Sequence, residues 1–498
     1  MTDHIAWVAL AIFIFFFALV TVMGFVAARW KSGPVNEHLD EWGLGGRQFG
    51  TWITWFLVGG DFYTAYTVIA VPALVYAVGA YGFFALPYTI IVYPFVFAVM
   101  PLLWKKAHAA GHVTAADVVQ GAYGSRSLEL AVALTGIVAT MPYIALQLIG
   151  MEVVIKAMGL SGELPIVAAF VILALYTYSS GLRAPALIAF VKDIMIYIVV
   201  LTAVVVVPTK LGGYAAVFAA ANDAFTAKGG ATGLTLKPGQ YLPYATLALG
   251  SALAAFMYPH TLTGVFASKS ADTIRKNAIL LPAYTVLLGL IALLGYMAHA
   301  AHIKVASPND VVPMLFKELF PEWFAGFAFS AIAIGALVPA AVMSIGAANL
   351  FTRNVWKSYV NPDISHAGEA AVAKITSLVV KVGALAFILF LPTQFALDLQ
   401  LLGGLWIVQT LPALVFGLFT NWFRGGGLLL GWAVGIGWGT WTAWHNGLKP
   451  LASISLGDAS YSFYVGFGAL LLNIVVAVLA TIVIGLMSPA KRGAAVGS

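Results

Sequence analysis

The chain has 498 residues, 61% of them hydrophobic and only 9% charged, with a formal net charge of +6 and no cysteine. Soluble domains place charge at nearer ~25% of positions, so a water-soluble globular protein is excluded and an all-α polytopic membrane protein is predicted. Without cysteine there is neither a disulfide framework nor a thiolate metal site.

A crossing needs about 20 apolar residues. Thirteen such stretches follow one another, at about 5–29, 51–79, 82–104, 127–158, 163–182, 184–208, 244–267, 278–301, 323–350, 370–391, 396–420, 427–446 and 461–487. No basic segment precedes the first run, so it is read as a retained helix rather than a cleaved signal. Sixteen of the 25 Lys and Arg fall in one set of loops, from Arg29 to Arg492, and seven in the other, from Lys156 to Lys449. The richer side is predicted to be cytoplasmic, which puts the amino terminus outside and the carboxyl terminus inside a bacterial inner membrane. The outer loop 209–243, rich in Gly, Thr and Ala, is predicted to be mobile. Val311–Phe320, bracketed by Pro308 and Pro321, is predicted to form a short surface helix. No Gly-x4-Gly-Lys-Ser/Thr, His-Glu-x-x-His or Gly-x-Ser-x-Gly pattern occurs, so ATP-driven transport and hydrolase chemistry have no motif to rest on.

Span 2 carries the most chemistry. It runs from Trp52 through Gly59-Gly60-Asp61-Phe62-Tyr63-Thr64-Ala65-Tyr66-Thr67 to Pro72. Two glycines loosen the backbone, a carboxylate follows, and then come four hydroxyls. Charge and irregular backbone at membrane depth survive only inside protein or beside a water-filled cavity. A helix broken near its middle is therefore predicted, as at the central site of a secondary transporter. Two further cations lie within spans, Lys192 in span 6 and Lys381 midway along span 10.

Four stretches together resemble the sodium:solute symporter family. They are Leu39-Asp-Glu-Trp-Gly-Leu-Gly-Gly-Arg-Gln-Phe-Gly50 ahead of the broken helix, span 2 itself ending Val71-Pro72-Ala73-Leu74, span 7 with Tyr258-Pro259-His260 and the basic loop after it, and span 9 with Ala340-Ala341-Val342-Met343-Ser344 followed by Thr352-Arg353-Asn354. Gly-Gly-Asp-Phe-Tyr-Thr-Ala-Tyr-Thr and Met-Tyr-Pro-His-Thr-Leu-Thr-Gly are most similar to the monocarboxylate permease branch, whose members take up lactate, pyruvate and related acids. The resemblance implies a LeuT-like fold of two inverted five-helix repeats. These would be spans 2–6 (51–208) and spans 7–11 (244–420), with 5–29 and 427–487 peripheral. It implies a solute site near the midplane and no enzymatic activity.

The resemblance also implies a sodium ion held by carbonyls of the broken helix, matching Gly60 and Tyr63, and by a carbonyl and two hydroxyls of span 9. The span 9 positions match Ala341, Ser344 and Ile345. Isoleucine offers no side-chain oxygen, so the sodium site lacks a ligand that a hard cation needs. Lys192 is the candidate replacement, because a buried ammonium can gain and lose a proton near neutral pH. Asp193 matches an acidic position common in the family, but adjacent residues point about 100° apart on a helix and are predicted not to share a face. Asp61 is predicted either to accept a proton or to cap the second half-helix. Lys381 would pair with a carboxylate or line the inner path. Candidate substrate contacts are Asp61, Tyr63, Thr64, Thr67, Tyr143, Gln147, Tyr258, His260, Trp406 and Gln409. No arginine lies mid-membrane, so hydroxyls and half-helix N–H groups would have to bind a carboxylate.

The resulting expectation is a secondary active symporter of short monocarboxylates, coupled to protons rather than sodium. It would use no cofactor, ATP, nucleic acid or obligate protein partner. The alternative is a sodium-coupled carrier of amino acids or other small organic solutes.

Overall fold

The computed structural model describes residues 5–27, 38–160, 164–390 and 396–487. The predicted span ends at 28–29, 163 and 391, and the basic residues Arg29, Lys31, Lys491 and Arg492, lie outside them. Membrane helices satisfy their backbone internally, and the apolar runs become helices accordingly. The first part of the chain forms α1 (Trp7–Ala27), α2 (Leu39–Leu44), α3 (Thr51–Thr54), α4 (Val71–Val78), α5 (Ala85–Ala109), α6 (Ala115–Tyr123), α7 (Arg126–Ala157), α8 (Leu164–Ser180), α9 (Arg183–Lys210) and α10 (Tyr214–Ala227). The second part forms α11 (Tyr241–Ala255), α12 (Pro259–Ala267), α13 (Ala271–Leu280), α14 (Pro282–Ala300), α15 (Val311–Leu319), α16 (Glu322–Leu350), α17 (His366–Phe390), α18 (Ala396–Ile407), α19 (Gly417–Phe419), α20 (Gly425–His445) and α21 (Val465–Met487).

Among the described residues, nine helical stretches are long and apolar enough to cross a bilayer. The other four predicted spans have local reasons to fall short. Spans 2 and 7 are interrupted, α8 is 17 residues long, and α20 is diluted by glycine and tryptophan.

The core is built around α16, an Ala- and Gly-rich helix buried along most of its length. Small side chains let neighbours approach closely in a membrane. At Gly326 an added methyl would sit 2.5 Å from the Ala9 carbonyl of α1, and at Gly346 it would sit 2.8 Å from the Pro259 backbone of α12. The same device joins α20 to α21, where Gly427, Gly431 and Gly435 lie one turn apart against Thr481, Asn473 and Ala469.

Three expectations change. Loop 209–243 contains the helix α10, because Val217, Ala221 and Phe225 recur every four residues and bury one face. Phe225 packs its ring 6.1 Å from Tyr296 of α14. The short helix after Pro308 forms as predicted, but Val311, Val312, Leu315 and Phe316 are buried rather than superficial. The fold is also not purely helical. Leu451–Leu456 (β1) pairs antiparallel with Ala459–Tyr464 (β2), Leu456 opposite Ala459, around the two-residue turn Gly457-Asp458. Gly457 has φ +61°, which suits a tight hairpin turn. The last span therefore begins at Val465 rather than 461.

Candidate functional site: two broken helices

The first break separates α3 and a π-helical turn (Trp55–Gly59) from a second π turn (Tyr66–Ala70) and α4. Breaking a helix frees backbone groups that need partners in a dry interior. The donors are satisfied locally. Ala65 N–H donates to Gln147 Oε1 of α7 (3.0 Å), Tyr66 N–H to Thr64 Oγ1 (3.0 Å) and Thr64 N–H to Thr67 Oγ1 (3.1 Å). Gln147, Thr64 and Thr67 thus satisfy the backbone of the break. The capping role offered to Asp61 belongs to them.

The freed acceptors meet a cation. The fully buried Lys192 of α9 donates from Nζ to the Gly60 carbonyl (2.5 Å) and to the Tyr63 carbonyl (3.1 Å). Its ammonium also lies 2.9 Å from Asp193 Oδ1, an ion-pair contact outside aligned hydrogen-bond geometry. The expectation that these neighbours do not share a face is wrong. Their Cβ atoms do diverge, but the four-carbon stem of lysine swings its charge back beside the carboxylate. Asp193 Oδ2 accepts from the Tyr284 hydroxyl of α14 (2.7 Å), and the Tyr63 hydroxyl donates to the Tyr284 carbonyl (3.0 Å). Tyr63 is therefore turned into this cluster. On α16, Ala341, Ser344 and Ile345 are buried, and Ser344 donates its hydroxyl to the Ala341 carbonyl of its own helix (2.8 Å).

Tyr284 was not anticipated, since little around Pro282-Ala283-Tyr284 marks it. Removing its hydroxyl leaves one oxygen of a buried carboxylate unsatisfied, a loss of about 1.5–3 kcal/mol for a bond to a charged group. Tyr284→Phe is expected to lower thermal stability in detergent and slow transport; an unchanged melting temperature and rate would contradict the role.

The second break lies between α11 and α12. Tyr258 is extended (φ −62°, ψ 140°) and Pro259 starts the next half-helix. Thr261 Oγ1 donates to the Ala255 and Tyr258 carbonyls, both at 2.9 Å, and closes the gap. Between the breaks sits a small cavity, with room for about one water molecule, lined by Asp61, Phe62, Tyr88, Tyr143, Ala255, Tyr258, His260, Thr261 and Gln400. Tyr143, Tyr258 and His260 form an aromatic corner, with ring centroids 5.2–5.5 Å apart. Three wall atoms are buried without a hydrogen-bond partner among the described residues: Asp61 Oδ2, His260 Nδ1 and Gln400 Oε1. Such groups are costly unless something occupies the cavity to meet them. Tyr88, Thr261 and Gln400 were missed. A glutamine within an apolar run was a usable signal for the last.

Besides Tyr63, Thr64, Thr67 and Gln147, two further candidates are not on this wall. Trp406 donates to Thr440 Oγ1 (3.0 Å) of α20. Gln409 donates to the Gly466 carbonyl (3.2 Å) and accepts from Asn473 Nδ2 (3.1 Å), both of α21. These two side chains tie the span to the peripheral helices α20 and α21. Lys381 is fully buried in α17, its ammonium without a hydrogen-bond partner among the described residues, and it lines neither break.

At the end of the bundle that carries the basic loops, Glu369 binds both Arg353 and Lys357, Arg183 binds Glu41, and Arg47 binds Asp40. A narrow crevice lined by Val113, Thr114, Met257, Pro259, Gly346 and Asn349 lies beside the second break.

Two half-helices facing a polar cavity at the centre of an otherwise apolar multi-pass bundle define a membrane transporter of small solutes rather than an enzyme. The sodium:solute symporter family model matches residues 42–435, and the chain belongs to that family. It is 73% identical, over 99% of both chains, to the monocarboxylate transport permease protein of Rhizobium johnstonii. It is 34% identical over 80% of each chain to the uncharacterized symporter YodF of Bacillus subtilis. Among solved structures, a substrate-bound, outward-open Na+-coupled sialic acid symporter shares the fold, with a TM-score of 0.77 over 96% of this chain and 98% of that one at 13% identity.

Proposed function

We propose that the chain imports short monocarboxylates such as lactate and pyruvate by secondary active symport, driven by protons rather than sodium. The substrate class is supported by the name of the 73% identical relative and by the small cavity with polar side chains between the two breaks. The coupling is supported by one observation above all. The Lys192 ammonium already binds the Gly60 and Tyr63 carbonyls that the family resemblance gives to sodium, and Ile345 supplies no side-chain oxygen. A sodium-coupled carrier of amino acids would have to displace that ammonium.

In this reading residues 51–208 and 244–420 are two inverted repeats. Each opens on a broken helix, and 5–29 and 427–487 flank them. The amino terminus is outside, the carboxyl terminus inside, and the membrane is the bacterial inner membrane. The ion-paired end is then cytoplasmic, and the crevice past Pro259 is the release path. Substrate counterflow tests the reading. Liposomes carrying the protein and loaded with unlabelled lactate should take up labelled lactate, and pyruvate should compete while proline does not. Counterflow with proline and none with lactate would overturn it.

A further inference from the structure

We propose that Asp61 carries the coupling proton and, once protonated, donates a hydrogen bond to the substrate carboxylate, Lys192 being a fixed charge. The proposal rests on the monocarboxylate reading and deepens it.

Lys192 and Asp193 form a closed unit. The ammonium donates to the carbonyls of Gly60 and Tyr63 and lies in ion-pair contact with Asp193 Oδ1, and Tyr284 takes the other carboxylate oxygen. The buried Asp193 carboxylate needs this ammonium beside it as its counter-charge. Asp61 has no ion-pair contact among the described residues and faces the cavity instead. It is only 4% exposed, Oδ2 has no partner, and it stands on the cavity wall. The titratable groups around it are Lys192 and Asp193 of α9, Tyr143 of α7, Tyr88 of α5, Tyr258 and His260 at the start of α12, and Tyr66 on its own helix. The one lysine among them is already paired.

A second carboxylate in this setting cannot stay charged cheaply, because a buried ion without a partner costs several kcal/mol. A proton from outer water on the Asp61 carboxylate removes that cost and turns an acceptor into a donor. An incoming anion needs such a donor, and a bare carboxylate would repel it. Proton and anion therefore bind together. On the inner side the anion leaves, Asp61 gives its proton to cytoplasmic water, and the carboxylate is restored. No covalent bond of the solute changes. One proton moves with one monoanion, so the cycle is electroneutral.

The test has two arms on the full-length protein in liposomes. Infrared difference spectra across a pH step, without substrate, should show the carbonyl band of a protonated carboxyl in the wild type. That band should vanish in Asp61→Asn and move in Asp61→Glu. With lactate, the wild type should take up protons as lactate enters, unaffected by membrane potential. Asp61→Asn should lose pH-driven accumulation and keep a lactate exchange that no longer varies with pH, while Asp61→Glu restores the pH dependence. A band that persists in Asp61→Asn, or accumulation that survives there, overturns the assignment. If the wild type moves no lactate, the monocarboxylate reading fails, and the infrared arm alone decides Asp61: its band supports the proton site and its absence overturns it.

Discussion

Gly60→Ala is expected to abolish transport while leaving an expressed, helical protein. A methyl at Gly60 would lie 2.8 Å from Lys192 Nζ and 3.1 Å from Asp193 Oδ2. Neither group is free to withdraw. The ammonium is held by the Gly60 and Tyr63 carbonyls, and the carboxylate by Tyr284. Glycine is needed here for space rather than for an unusual backbone angle, since residue 60 is right-handed (φ −63°, ψ −22°). The methyl must push the break away from α9 or dislodge the ion pair. Losing a buried pair geometry costs about 3–5 kcal/mol, enough to trap the transporter or prevent closure of the bend. Uptake assays and circular dichroism on the same preparation check this. Wild-type uptake by Gly60→Ala would show that the bend tolerates displacement.

The second large effect belongs to Lys192. Lys192→Ala leaves Asp193 charged and unpaired in a dry interior and strips both carbonyls of their donor. A destabilisation of about 3–5 kcal/mol is expected, with loss of gradient-driven accumulation and a measurable residue of substrate exchange. Two carbonyls and a carboxylate are also a reasonable shell for a small hard cation. If the ammonium stands in for an ion, sodium should raise the thermal stability of Lys192→Ala but not of the wild type. Unchanged accumulation by the variant would remove Lys192 from the coupling site.

Much of the central geometry was legible because the membrane makes exceptions conspicuous. A Gly-Gly-Asp in an apolar run and a lysine inside span 6 cost too much to be incidental, and they sit together. Where the sequence misled, the reason was local. Thr64, Thr67 and Gln147 look like ligands because polar side chains in spans often are, yet the broken helix needs those same groups for its own backbone. Trp406 and Gln409 share a span with Gln400 of the cavity wall, but rotation about the helix axis turns them to α20 and α21. Helical periodicity placed the Lys192 and Asp193 Cβ atoms correctly and still missed the pair, because it does not describe a long flexible stem. The hairpin at 451–464 was readable in its alternation and its Gly457-Asp458 turn. It was hidden by the apolar helix that follows directly. The helix α10 was masked by a glycine-rich surround that reads as loop.

Coupling by protons is the central claim, and lactate uptake into proteoliposomes under one imposed gradient at a time tests it most directly. An inward pH gradient without sodium should drive labelled lactate above its equilibrium level, and an inward sodium gradient at equal pH should not. Accumulation that requires sodium would mean that the ion displaces the Lys192 ammonium from the Gly60 and Tyr63 carbonyls and that Ile345 is no obstacle to its site.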